Sequence, residues 1–315
     1  MTPTRGTGTV AWAVFAHRDA PHVRELVARL VAESPDCEVI VHISTTAEIS
    51  PDDLADIVGP NVRFSAKRFP VYWGGASLWI AMRWMLDDLA HSTTREWIGI
   101  VAGDAAPIRP LAELQSFLAT MKEDGVMAHV QVHPPTPGVP LTENQKRYFY
   151  RYRPLSRSPE VGPKTAARQR YIGLAVAHLV PGVAFRAQRR GSSHMLGIRR
   201  WRCIFDEEIR CYKGGPFGIF RTSMLGRVLL QNPVDGPVER HFREGVLAEE
   251  ATLLTMILRD TNASLLNREL IAGFWEASQP HPAELNESRA AAVFADSLAF
   301  FSRKTAFDQH TTSGP

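Results

Sequence analysis

Residues 9–15 read TVAWAVF, and residues 21–33 read PHVRELVARLVAE. The first stretch is apolar after Thr9 and partly β-branched, so it predicts a buried strand. In the second, Val23, Leu26, Val27, Leu30 and Val31 fall on one face of a helix. Such a pair is the unit of a parallel sheet covered on both faces. The unit then repeats. Cys37 to Ile43 reads as a strand, followed by a short helix opened by Ser50-Pro51-Asp52-Asp53, with a cap and Pro at the first turn. Asn61 to Ala66 is a third strand, Ser77 to His91 an apolar helix, Trp97 to Ala102 a fourth strand, Leu111 to Lys122 a helix, and Val126 to Val132 a strand. Farther on, helices are expected over Thr222 to Gln231, Ala248 to Leu258, and Arg289 to Phe301, the last ending in Ser302-Arg303-Lys304. Open sheets of this kind bind ligands beyond the carboxyl ends of their strands. That directs attention to His17, Ser44, the Trp73-Gly74-Gly75 loop and Asp104.

The rest of the composition fits this α/β class. The chain has 315 residues, 44% hydrophobic and 22% charged, the make-up of an ordinary globular protein with a substantial core. Val10 to Ala16 is too short to span a bilayer and lacks a cationic lead-in, so neither a signal peptide nor a membrane span is expected. Three cysteines, Cys37, Cys203 and Cys211, form no CxxC pair; core thiols in a reducing cytoplasm are the expectation. The net charge of +3 hides an asymmetry. Between Pro140 and Arg202 stand fourteen Lys and Arg against Glu143 and Glu160, a balance of +12, which leaves −9 for the remainder. A stretch this basic is either a solvated insert or a surface that receives an anion, and composition leaves both open. Three parts are delimited accordingly: an α/β half over 1–134, a basic Arg- and Tyr-rich insert over 135–203, and a second half over 204–315.

Several chemistries are excluded by what the chain lacks or misplaces. Gly6-Thr7-Gly8-Thr9-Val10-Ala11 has the spacing of a dinucleotide fingerprint but precedes the first strand, where it cannot meet a helix N-terminus. There is no P-loop, no GxSxG and no HExxH. Nor is there an Asp-x-Asp pair of the kind that holds a divalent cation on a sugar-nucleotide diphosphate. Arg and Lys can neutralise a diphosphate instead, and Arg303-Lys304 is a candidate, although a basic helix end matching its dipole explains that pair as well. Glu249 and Glu250 head an apolar run, a common place for acids in a first helical turn.

Six segments, in order, resemble one family. They are Phe15-Ala16-His17; Tyr72-Trp73-Gly74-Gly75-Ala76-Ser77-Leu78; Val101-Ala102-Gly103-Asp104-Ala105-Ala106-Pro107-Ile108; Lys213-Gly214-Gly215-Pro216-Phe217; Ala248-Glu249-Glu250 with Thr255; and Phe301-Ser302-Arg303-Lys304 with Phe307-Asp308. Together they resemble the core-2/I-branching β-1,6-N-acetylglucosaminyltransferase and peptide xylosyltransferase family. The resemblance implies a GT-A-like, doubly wound, mostly parallel sheet with helices on both faces. It implies an inverting, metal-independent transfer of a GlcNAc- or xylose-type sugar from a UDP-sugar to an acceptor hydroxyl. It assigns the base to Glu250 and the diphosphate to Arg303 and Lys304, and it places the nucleotide near His17, Ser44, Trp73, Gly74 and Asp104. This sequence departs from the family pattern at Ser44, where an acid is usual, at Asp104, one position early, at Phe217 in place of Trp, and at Thr305-Ala306, which are extra.

On the acceptor side, Lys213, Trp275 and Glu276 are candidates, and so are Lys146 and Arg147, which suit an anionic acceptor. Trp275 is explained equally well as a core residue. No cofactor, metal or nucleic acid is expected. Two rival readings remain: an anion- or nucleic-acid-binding protein using residues 140–202, and a non-catalytic sugar-binding relative.

Overall fold

A computed structural model describes residues 7–72, 74–136, 138–156, 161–186, 194–200, 204–206, 209–260, 262–274 and 283–307. The opening strand β1 (Val10–Ala16) is buried along its whole length and leads into α1 (Ala20–Glu33). The chain continues through β2 (Glu38–Ile43), a 3-10 turn at Asp52–Ile57, β3 (Val62–Phe64), α2 (Ser77–Ser92) and β4 (Trp97–Ala102). There follow β5 (Ala105–Pro107), α3 (Leu111–Thr120), β6 (Gly125–Val126) and β7 (His129–Val132). The middle holds α4 (Glu143–Tyr148), β8 (Tyr150–Pro154), α5 (Pro163–Leu179), β9 (Val183–Arg186) and β10 (Met195–Arg199). Beyond it come β11 (Cys211–Gly214), β12 (Ile219–Arg221), α6 (Thr222–Gln231), α7 (Pro237–Arg243), α8 (Thr252–Arg259) and β13 (Leu265–Leu266).

The main sheet has seven strands in the order β13-β6-β12-β4-β1-β2-β3. β3, β2, β1 and β4 run parallel, β12 is antiparallel to both β4 and β6, and β13 is parallel to β6. The expected α/β class with a mostly parallel sheet is what the chain forms. Side chains alternate across β1, so Ala11, Ala13 and Phe15 join the core under α2, α6 and α8, while Trp12 and Val14 join the core under α1 and α3. Trp12 fits because its register partner on β4 is Gly99. A Cβ at Gly99 would stand 2.4 Å from the Trp12 ring.

Three expected elements take another form. The strand Val126 to Val132 divides into β6 and β7, which belong to different sheets. Asn267 causes the break: its side chain accepts from His129 N at 2.8 Å and donates to His129 O at 2.9 Å, which ends the ladder with β13. The helix expected over Ala248 to Leu258 begins as a separate 3-10 turn at Ala248–Glu250, because Ala251 sits at φ −129°. Thr252 Oγ1 donates to the buried Ala248 carbonyl at 2.7 Å. The helix expected over Arg289 to Phe301 spans only Glu287–Val293. Ser297 Oγ then donates to Phe294 O and accepts from Ala299 N, and the buried Phe301 enters a short strand, Phe301–Arg303. Arg303 and Lys304 therefore do not end a helix, and the dipole explanation for the pair falls away.

The basic insert is ordered over its described residues. β8, β10 and β9 form an antiparallel sheet in that order, with α5 against β9. One face of this small sheet carries Tyr150 and Tyr152, which pack with Val246 of the body. Arg151, Arg153 and Arg200 converge on Glu244 and fasten the insert electrostatically.

Candidate active site

The carboxyl ends of the parallel strands gather on one edge. His17 follows β1, and its carbonyl accepts from Glu48 N at 2.8 Å. Ser44 follows β2, where its N–H donates to Ala16 O at 3.3 Å. The Ser44 hydroxyl is buried and accepts from Thr46 N at 3.1 Å and Val71 N at 2.9 Å. It organises the loop before the Gly74 turn. Asp104 lies in the tight turn between β4 and β5, which Gly103 closes against the Phe15 carbonyl at 2.7 Å.

The terminal strand reaches this edge from the far end of the chain. Arg303 pairs in register with Ala105, and Lys304 N donates to Asp104 O at 2.6 Å. Lys304 adopts φ 53°, a left-handed conformation that turns the chain out of the strand beside Asp104. Arg303 Nε and Asp104 Oδ1 face one another at 3.9 Å, beyond hydrogen-bond range, and both atoms are buried without a hydrogen-bond partner among the described residues. The Arg303 guanidinium also lies 4.8 Å from the centre of the Phe217 ring, an aromatic platform of the kind cations favour. Among the described residues Lys304 makes no ion pair.

Glu250 occupies a second cluster. Its Oε2 accepts from Tyr148 Oη at 3.1 Å and Arg147 Nη1 at 3.3 Å, and Lys213 Nζ is 3.6 Å away. Among the described residues all three contacts fall on Oε2 and none on Oε1, so one oxygen is anchored and the other is not. The backbone beneath is fixed as well. Leu247 N donates to Gly74 O at 3.1 Å, and Glu250 N to Leu247 O at 3.1 Å. Leu247 and Gly74 both have positive φ, 53° and 83°. Glycine at 74 takes that conformation without strain. Thr255 Oγ1 accepts from Tyr212 N at 3.1 Å, which ties α8 to β11 and so positions Lys213 beside Glu250. Burial, with the Glu250 carboxylate next, pushes the Tyr148 phenol far above its ordinary value, so Tyr148 is a hydrogen-bond donor throughout the physiological range.

One short segment joins the two clusters. Lys213 touches Glu250 and Phe217 supports Arg303, and four residues of chain span at most about 14 Å. Of the residues singled out from sequence, Glu250, Arg147 and Lys213 come together, and so do Asp104, Arg303 and Lys304. Lys146 does not join Arg147 at Glu250; it pairs with Glu143 at 2.9 Å, one turn back on its own helix. Trp73, Trp275 and Glu276 lie outside the described residues. Sequence reasoning missed Tyr148 as a Glu250 partner and Phe217 as the platform for Arg303. The adjacency of Tyr148 to Arg147 was the available signal for the first; for the second there was none.

Glu249, the neighbour of Glu250, is buried, and its Oε2 has no hydrogen-bond partner among the described residues. Burial pushes its carboxyl from the ordinary 4.5 up to about 8. Between those values the folded chain keeps a proton that the unfolded chain has lost. The contribution of Glu249 to stability is therefore full below about pH 4.5 and is lost as pH rises towards 8. Glu249→Gln preserves shape and removes the titration. Its melting temperature is expected to match wild type at pH 4.5 and to exceed it by on the order of 5 °C at pH 8.5, as thermal melts across that range would record.

No family model and no curated protein matches the sequence. Among solved structures, an active-site mutant of LgtC aligns over 98% of this chain and 88% of its own, at 11% identity and TM-score 0.38. HddC from Yersinia pseudotuberculosis aligns over 70% and 79%, at 10% identity and TM-score 0.30. The mannosyltransferase PcManGT from Pyrobaculum calidifontis, solved with GDP-Man and Mn2+, aligns at 16% identity and TM-score 0.30 over 41% of this chain; the match spans only 37% of the mannosyltransferase. At these scores no donor, metal or residue role transfers to this chain.

Proposed function

We propose that this chain is a glycosyltransferase that moves a GlcNAc- or xylose-type sugar from a UDP-sugar to an acceptor hydroxyl, with inversion and without a metal ion. The observation that carries it is the anchored carboxylate of Glu250, one oxygen held by Arg147, Tyr148 and Lys213 and joined through residues 213–217 to the cationic pair Arg303 and Lys304. In this reading Glu250 Oε1 accepts the proton of the acceptor hydroxyl as its oxygen attacks the anomeric carbon. The bond to the diphosphate breaks on the opposite face. Arg303 and Lys304 stabilise the charge that develops there. Arg147 and Lys213 keep the base aimed and line the side from which an acceptor, an anionic one included, would enter. The absence of an Asp-x-Asp pair from the sequence supports charge neutralisation by side chains.

Incubation with a panel of nucleotide sugars in EDTA tests the reading. UDP release is expected with a UDP-sugar and is expected to rise with an acceptor. Binding of donors without turnover would instead identify a sugar-binding relative, and indifference to all of them with salt-dependent capture of nucleic acid would identify the basic insert as the functional part.

A further inference from the structure

His241 of α7 is a polar ring in aromatic surroundings. It is buried, with Phe205 at 4.6 Å and its neighbour Phe242 at 5.4 Å between ring centres. A leucine would fill such a place without the desolvation that a polar ring incurs. What the histidine adds is a hydrogen bond: its Nε2 stands 2.7 Å from Tyr148 O. A backbone carbonyl only accepts, so Nε2 carries the proton. Burial, with the Arg200 guanidinium next, lowers the imidazole to about 4, so the ring is neutral at neutral pH and that proton is its only one.

The carbonyl that His241 holds belongs to the residue whose hydroxyl holds Glu250. Tyr148 is the last residue of α4, where carbonyls lack a partner within the helix. Its Oη donates to Glu250 Oε2 at 3.1 Å. Phe242 meets the Tyr148 ring edge-on at 5.8 Å, so α7 grips Tyr148 by main chain and ring together. His241 is itself fixed: Arg200 Nη2 donates to its carbonyl at 2.7 Å, and Arg200 N donates to Phe149 O at 3.1 Å. We propose that His241 is a positioning residue for the base, fixing the Tyr148 main chain so that the phenol aims Glu250. The inference rests on the glycosyltransferase reading of Glu250. A role that runs through the Tyr148 hydroxyl disappears when that hydroxyl is removed, whereas a role in packing does not.

Steady-state UDP release by His241→Leu, His241→Gln, Tyr148→Phe and the combined Tyr148→Phe, His241→Leu variant tests the proposal. Leucine keeps the bulk and loses the donor; kcat is expected to fall about tenfold with the donor KM unchanged, the mark of a misaimed catalytic group. Glutamine, which can present an N–H near the same point, is expected to hold kcat within about threefold of wild type. Tyr148→Phe is expected to cost about tenfold alone, and His241→Leu added to it less than about twofold more. A second readout needs no turnover. In protein carrying ζ-carbon-labelled tyrosine, the Tyr148 resonance, identified by its loss in Tyr148→Phe, is expected to shift in His241→Leu and to return in His241→Gln. Additive kcat losses, a glutamine variant as impaired as the leucine variant, or an unmoved resonance in His241→Leu would each overturn the proposal. Absence of UDP release from wild type with every donor refutes the transferase reading and the catalytic role with it; normal turnover beside an unmoved resonance refutes the positioning link alone.

Discussion

Glu250→Gln should leave donor affinity within about twofold of wild type and lower turnover by about 10²–10⁴-fold, the usual contribution of a positioned general base. The amide keeps the size and the carbonyl oxygen that can face Arg147, Tyr148 and Lys213, so the surrounding contacts survive in part. What it cannot do is take a proton from an acceptor hydroxyl. The loss should therefore appear in kcat and not in the KM for the donor. Steady-state UDP release with saturating acceptor is the measurement. Turnover within a few-fold of wild type would place the base elsewhere.

Arg303→Met should raise the dissociation constant for UDP by about 10–100-fold, the range of one or two lost charge-assisted hydrogen bonds. Because removal of the guanidinium leaves Asp104 without its nearest cation, Asp104→Asn with Arg303→Met is the needed companion. If the double variant binds UDP as poorly as the single one, the loss belongs to the diphosphate contact and not to a stranded carboxylate. Mg²⁺ or Mn²⁺ should restore neither, since no metal is part of the proposed site. Isothermal titration with UDP reads both variants, and unchanged affinity would remove Arg303 from the donor site.

The framework was legible because its signals are periodic. β1 and α1 announce themselves by a buried run and a helical repeat, α2 and β4 by the same devices, and the positions that end β1, β2 and β4 follow from the rule for parallel sheets. The boundaries that went astray were decided by single side chains acting across the fold. Asn267 ends a strand 138 residues away by bonding both backbone groups of His129, and no local pattern at Val126 to Val132 records it. The last helix stops because Phe301 is needed in the core as a strand residue beside Trp12, at 5.2 Å between ring centres.

The site divides in the same way. Glu250, Arg303 and Lys304 were singled out as candidates through ordered short motifs. Their surroundings were not, because Tyr148 and Arg147 meet Glu250 from 102 and 103 residues away, and contacts of that range leave no spacing to read. The small insert was visible only as charge. Its sheet depends on packing that composition does not encode.

A structure determined with an intact UDP-sugar in EDTA measures the central geometry directly. The diphosphate should contact Arg303 and Lys304, and the anomeric carbon should lie between them and Glu250 Oε1, with room for one hydroxyl at that oxygen. A nucleotide bound at any other edge of the sheet, or an anomeric carbon beyond the reach of residue 250, would contradict it.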